Sequence, residues 1–185
     1  MTSPNPYAID ADTLSGMKPI RQVVFALGSN LGDPLSNLQG AVSSLRDTPD
    51  VIVVDVSSVY ETDAVGGPED NPPFLNAVVL AETTLDETTL LERAQAIEDA
   101  YGRVRTEKWG PRTLDVDLVV VGNTVLERPD LTLPHPQAHK RAFVLVPWAE
   151  IEPAGEIAGH GNISDLLEQL DTSGVRRRDD LSLED

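Results

Sequence analysis

The hydrophobic pattern changes period several times along the chain, and each change predicts a new element. Val23 to Leu27 is a short β-rich run that ends in Gly28-Ser29-Asn30-Leu31-Gly32-Asp33. Its glycines permit a turn, and Asp33-Pro34 reads as an N-cap followed by a first-turn proline. Apolar residues at 35, 38, 42 and 45 then have helical spacing, which predicts a helix over 35–45. Val51 to Val59 reads as a strand, residues 62–73 as a turn-rich loop, and Phe74 to Leu80 as a second strand able to pair antiparallel with the first. Leu85, Thr88, Leu91, Ala94, Ile97 and Tyr101 mark one face of a helix over 84–101, with Gly102 as its stop. A strand follows over 115–121, and 124–126 can fold back as a hairpin strand after Gly122-Asn123. A Pro/His loop over 133–137 leads into the apolar segment 141–148, and a last helix is expected over 163–170. The order β-α-β-β-α-β, with helices packed on one face, indicates an α+β sandwich with a mostly antiparallel sheet. Residues 1–20 read as a flexible N-terminal extension, 21–172 as one domain, and 173–185 as a polar C-terminal tail.

Composition narrows the function classes. A chain of 185 residues is long enough for one domain with a real core, and 40% hydrophobic content is ordinary for a globular protein. There are no cysteines, so disulfides, thiolate metal sites and cysteine nucleophiles are excluded. No apolar run approaches the roughly 20 residues of a membrane helix, and the first twenty residues lack the pattern of a signal peptide. A cytoplasmic location without membrane association is expected, and a monomer is the simplest state. The net charge of −17 argues against a nucleic-acid binder, which needs a basic face. Yet six of the fourteen Lys and Arg residues fall in 103–112 and 140–141. A positive cleft on a negative body suits a small polyanionic ligand.

The candidate chemistry lies in W-G-P-R-T-L-D-V-D at 109–117. Side chains alternate along a strand, so Asp115 and Asp117 project from one face and leave Val116, Leu118 and Val120 for a core on the other. Two like charges side by side are unfavourable without a cation between them, and hard oxygen ligands suit Mg²⁺. Arg103, Arg105, Lys108 and Arg112 stand just upstream. Carboxylates for metal beside cations for phosphate are the equipment of a nucleotide-using phosphoryl-transfer site. Taken alone, a D-x-D pair is also what a solvated face or a salt-bridge network presents. Gly102, Gly110 and Pro111, which fix the backbone between the charges, favour a site.

Four signatures then occur in order. They are A-L-G-S-N-L-G-D (26–33), S-S-V-Y-E-T (57–62) continuing to F-L-N-A (74–77), G-R-V-R (102–105) with W-G-P-R-T-L-D-V-D, and L-P-H-P (133–136) with R-A-F-V-L (141–145). With these the chain resembles the 6-hydroxymethyl-7,8-dihydropterin pyrophosphokinase family of folate biosynthesis, over roughly residues 22–155. The resemblance implies a ferredoxin-like β-α-β-β-α-β fold and transfer of the pyrophosphoryl group of ATP to the pterin hydroxymethyl oxygen, releasing AMP. It implies that Asp115 and Asp117 would hold two Mg²⁺ ions, with Arg103 and Arg112 joining them in catalysis. Gln95, Glu98, Arg105, Lys108, Trp109, His135 and Arg141 would bind ATP, Trp109 as a lid residue. The pterin would stack between Phe74 and Phe143, its edge read by Asn76 and by the Thr62 and Val65 backbones, with Asp115 at its alcohol. Asp63-Ala64 stands where some members have two prolines, and Lys108 where Arg is frequent. Two other classes use part of the same equipment: a metal-dependent phosphohydrolase, which needs no planar-base slot, and a nucleotide-sensing module, which needs no paired metals. No G-x-x-x-x-G-K-[ST] loop is present.

Overall fold

A computed structural model describes residues 18–64, 71–102 and 113–184. In chain order its elements are β1 (Arg21–Ser29), α1 (Pro34–Arg46), β2 (Val51–Val56), β3 (Tyr60–Thr62), β4 (Phe74–Thr83), α2 (Glu87–Ala100) and β5 (Asp115–Val121). There follow β6 (Leu126–Glu127), β7 (Thr132–Leu133), a 3-10 turn (Ala138–Lys140), α3 (Ala142–Ile151), β8 (Glu156–Ile157), β9 (Gly161–Asn162), α4 (Ile163–Glu168) and β10 (Val175–Arg177). Six strands form one sheet in the order β10-β3-β4-β1-β5, with β2 also paired to β4. Every pairing within it is antiparallel. The α+β ferredoxin-like architecture is therefore present, with β1 and β4 at its centre.

Those two central strands are apolar at consecutive positions because both of their faces are covered, as strands buried on two sides must be. Val23, Phe25 and Leu27 pack with Leu38, Val42 and Leu45 of α1 and Leu90, Ala94 and Ile97 of α2. Val24 instead joins Val78 and Leu80 of β4 in a second core with Val144, Leu145 and Trp148 of α3 and Ile163 of α4. Helices thus lie on both faces, which corrects the expectation of one. The missing layer is α3, whose sequence A-F-V-L-V-P-W-A-E-I is apolar nearly all round and holds Pro147. A helix without a polar stripe shows no 3.6-residue period to find.

Local signals hold well at the helix ends. Asp33 accepts the Ser36 N–H at 3.1 Å ahead of Pro34, and Asp86 accepts the Thr89 N–H at 2.8 Å. Gly102, at φ +70°, follows the last turn of α2, a conformation that glycine adopts without a Cβ penalty. Strand details depart more. The strand expected over Val51 to Val59 ends at Val56, where Ser57 turns its backbone N–H to the Val78 carbonyl, and β3 begins only at Tyr60. Val121 is followed by a turn, but β6 pairs forward with β7 as a separate ribbon and not back onto β5. In β5 the register with β1 shifts so that Val24 faces Val120 and Phe25 faces Leu118. The extra residue, Val119, flips the alternation beyond it. Val116 and Leu118 enter the first core as expected, whereas Val120 enters the second with Val119. The segment expected as a polar tail adds β10 to the sheet, and Leu181 and Leu183 pack against the first core.

Candidate active site

Register places the polar residues in one row across the sheet. Gly28 of β1 faces Asp115 of β5 on one side and Asn76 of β4 on the other, and Asn76 faces Tyr60 of β3. Asp117 lies beside Ala26 in the next row but one. Both aspartates are half-buried on the α3 face of the sheet, as their i, i+2 spacing requires. Here the second core stops and a cleft of about 400 Å³ opens. Its floor is Ala26 and Gly28, its far walls are Asp115 with Asp117 and Phe74 with Asn76 and Thr62, and its roof is Gln137, Lys140, Arg141 and Phe143.

Gly28 keeps this floor open. A Cβ there would lie 3.3 Å from Asn76 Oδ1 and 3.7 Å from Phe74 Cδ1, inside the space of the cleft. The run Gly28-Ser29 was expected as a turn, but both residues continue β1. The turn follows, and its side chains act as a knot. Asn37 donates to the Ser29 hydroxyl and to the Leu31 and Thr113 carbonyls at 3.0–3.1 Å. Asn30 donates to Asn71 Oδ1 at 2.9 Å and to the Pro72 carbonyl at 3.0 Å. These bonds tie the end of β1 to the entrances of β4 and β5, and so fix the two walls relative to each other.

Asn76 is buried and donates through Nδ2 to Thr62 Oγ1 at 2.8 Å. With its nitrogen so occupied, Oδ1 is the atom directed over Gly28. Phe74 and Phe143 line opposite sides of the cleft, and the Arg141 guanidinium lies 5.5 Å from the Phe143 ring centroid. A cation over an aromatic face is attracted by the ring quadrupole. Arg141 is held at the start of α3, where it caps no other group with its side chain.

The remaining expected residues divide sharply. Thr62, Phe74, Asn76, Asp115, Asp117, Arg141 and Phe143 are brought together in the cleft. Val65, Arg103, Arg105, Lys108, Trp109 and Arg112 lie outside the described residues. Gln95 is exposed on α2, across the sheet from the cleft. Glu98 is buried, and its Oε2 accepts the Val116 N–H at 3.1 Å. It therefore holds the backbone between the two aspartates from behind. His135 is half-buried, and its own N–H bonds the Val119 carbonyl at 2.8 Å. Its Nδ1 accepts the Gln137 N–H at 3.1 Å, which leaves the ring proton on Nε2. Burial, aided by the Arg141 charge, pulls its pKa down to about 4, so the ring is neutral at pH 7. Sequence reasoning missed Gly28, Asp63, Gln137 and Lys140 as lining residues. The A-L-G-S-N motif carried the signal for Gly28, and the excess of cations at 140–141 carried it for Lys140.

Among the described residues no cluster of three or more His, Asp or Glu side chains forms a metal cage. A pair of carboxylates on one strand face, open to a cleft, could hold Mg²⁺ only with oxygen ligands from elsewhere, such as phosphates and waters, completing the shell.

Comparison with known proteins adds a family. A model of 7,8-dihydro-6-hydroxymethylpterin-pyrophosphokinase matches residues 24–153. A Synechocystis sp. protein named 2-amino-4-hydroxy-6-hydroxymethyldihydropteridine pyrophosphokinase is 44% identical over 82% of this chain and 77% of its own length. A Pseudomonas aeruginosa protein of the same name is 39% identical over 85% of this chain and 97% of its own length. The crystal structure of Plasmodium falciparum HPPK-DHPS with pterin and p-hydroxybenzoate superposes with a TM-score of 0.63 at 15% identity, covering 84% of this chain. This chain spans 44% of that longer one, and the likeness is one of fold.

Proposed function

The chain belongs to the 7,8-dihydro-6-hydroxymethylpterin-pyrophosphokinase family, and from that premise we propose that the cleft over Gly28 is where it works. The reaction is transfer of the β,γ-pyrophosphoryl group of ATP to the hydroxymethyl oxygen of 6-hydroxymethyl-7,8-dihydropterin, giving AMP and the pterin diphosphate for folate biosynthesis. The observation that carries this reading is the row Asp115–Gly28–Asn76, which puts a carboxylate wall and a planar slot on either side of one glycine. A phosphohydrolase has no use for the second wall.

The pterin lies flat between Phe74 and Phe143, which exclude water from both of its faces. Asn76 Oδ1 accepts from the pterin edge, its amide held in one orientation by Thr62. Asp115 and Asp117 would hold two Mg²⁺ ions, which when bound would supply positive charge to neutralise that developing on the ATP phosphates. Arg141 and Lys140 face those carboxylates from the roof and take the phosphate oxygens, Arg141 as a planar fork. Arg103, Arg105, Lys108, Trp109 and Arg112 complete the phosphate side, and Val65 the pterin side. Neutral His135 donates from Nε2 to a phosphate oxygen. Gln95 belongs to the nucleotide end, and Glu98 acts through the Val116 backbone. A new bond forms between the hydroxymethyl oxygen and Pβ as the bond from Pβ to the α-phosphate oxygen breaks. The hydroxyl proton is released and AMP departs.

We place the protein in the cytoplasm as a monomer that binds neither nucleic acid nor membrane. The net charge of −17 supports the part of this that concerns nucleic acid, whose binders need a basic face. A nucleotide-product assay with ATP, Mg²⁺ and the pterin alcohol tests the reaction. Pterin-dependent AMP is expected; ADP or free phosphate would reject it.

A further inference from the structure

The family match ends at residue 153, yet the chain goes on to add a strand behind one wall of the cleft. β3 is three residues long, and on its outer side β10 supplies the pairing. Val175 faces Thr62, Arg176 faces Glu61 and Arg177 faces Tyr60, and the Arg178 N–H reaches the Val59 carbonyl at 2.8 Å. Thr62 is the residue whose hydroxyl orients Asn76. Thus β10 stands directly behind the pair that faces the pterin edge.

Charge repeats the arrangement. Glu61 and Asp63 are two acids at i, i+2, and Asp63 lines the cleft. Opposite them are two arginines, also at i, i+2. Arg176 Nη2 lies 3.1 Å from Asp63 and 3.7 Å from Glu61, and Arg178 Nη1 lies 3.5 Å from Glu61. Downstream the segment is anchored far from the cleft. Leu181 and Leu183 pack on the first core, the Ser182 carbonyl accepts from Gln39 at 2.8 Å, and Glu184 pairs with Arg46 of α1. An isolated three-residue edge strand has little of its own to hold it, whereas one paired on both sides and tied to α1 is fixed.

We infer that residues 175–184 form a strap that holds Thr62, Asp63 and Asn76 in place and so sets affinity for the pterin without touching the nucleotide side. Arg176 is its positioning residue, since it alone bonds the strand and pairs with both acids. The inference rests on the assignment of this wall to the pterin. The strap itself contacts no substrate. It acts by fixing an amide orientation, which costs entropy to restore on each binding event if the edge strand is loose.

Steady-state kinetics on full-length variants, with both KM values and a melting curve for each, test this. Arg176→Pro removes a ladder donor as well as both ion pairs, and is expected to raise the pterin KM about tenfold. Arg176→Ala, which leaves the ladder, should raise it about threefold, as exposed ion pairs are individually weak. Arg176→Lys should restore most of the wild-type value, and the ATP KM should stay within about twofold throughout. A pterin KM unchanged in Arg176→Pro would overturn the strap. So would a parallel rise in both KM values, or a fall in melting temperature with no KM split, since either marks a merely structural strand. Asn76→Ala serves as the separate check on the wall itself. If it raises the pterin KM while Arg176→Pro does not, the strap fails and the site stands. If Asn76→Ala leaves that KM unchanged, the pterin assignment fails and takes the strap with it.

Discussion

The two faces of the central sheet are made by the same strands and have opposite characters. On the α1–α2 face, β1, β4 and β5 present Phe25, Leu27, Val79, Val116 and Leu118 as an unbroken apolar surface. The α3–α4 face is equally apolar under α3, at Val24, Val78 and Leu80. Towards the end of β1 it changes to Ala26, Gly28, Asn76, Asp115 and Asp117. One face is closed along its whole length; the other is closed only as far as α3 reaches. The difference shows how a site is carved from a stable sheet: the same backbone rungs continue, and small or polar residues replace large ones on one side only. Glu98 marks the exception on the closed face, a buried acid spent on the Val116 N–H just behind Asp115 and Asp117.

The strongest test of that division sets one residue from each face against the other. Asp117→Ala on the open face is expected to lower kcat by at least about 10³-fold in the AMP assay, because the charge on the transferring phosphates loses its principal counter-ion site. Its melting temperature should change by only a few degrees. Phe25→Ala, in the adjacent position of β1 on the closed face, should do the reverse. Denaturant unfolding is expected to show a loss of about 3–5 kcal/mol, with near-normal kinetics in the fraction that stays folded. If Asp117→Ala instead unfolds the protein, or Phe25→Ala selectively raises a KM, the faces are not divided as drawn.

A milder change sharpens the boundary at Gly28. Alanine there adds one carbon 3.3 Å from Asn76 Oδ1 without touching the closed face. The expected result is a pterin KM raised about tenfold and an unaltered ATP KM, the cost of a crowded contact in a slot shaped to a flat ring. An equal rise in both would mean that the floor under Gly28 serves the nucleotide too.

What the sequence made legible follows from how local each signal is. The shared face of Asp115 and Asp117 needs only strand alternation, and the caps at Asp33 and Asp86 need only the next three residues. Gly102 as the end of α2 is equally local. Val120 was misplaced because the bulge at Val119 is a property of two paired strands, not of β5 by itself. The layer formed by α3 was invisible because a helix buried nearly all round has no polar stripe. β10 reads as a polar tail because its partner strand β3, and the acids that Arg176 meets, lie more than a hundred positions upstream. The cleft residues were recovered mostly through resemblance: nothing in the spacing around Phe74 or Phe143 separates a stacking ring from a core aromatic. Gly28 looked like part of a turn because a glycine in a strand and a glycine in a loop are alike in sequence.

The smallest effect belongs to His135, at the rim where the two characters meet. Its folded pKa of about 4 lies below the ordinary value near 6.5, through burial first and the Arg141 charge second. Between those values the unfolded chain binds a proton that the folded protein does not. The histidine therefore favours folding fully above about pH 6.5, and that contribution is lost progressively as pH falls towards about 4. Glutamine keeps an acceptor for the Gln137 N–H and cannot titrate. The melting temperature of the wild type minus that of His135→Gln should accordingly fall by about 2–4 °C from pH 7 to pH 4.5, a modest span because water screens a half-buried ring. A difference that stays flat would mean the ring is hydrated as freely as on an open surface. A difference that grows on acidification would mean that the charged ring is favoured, and that an anionic partner, not burial, governs the rim of the cleft.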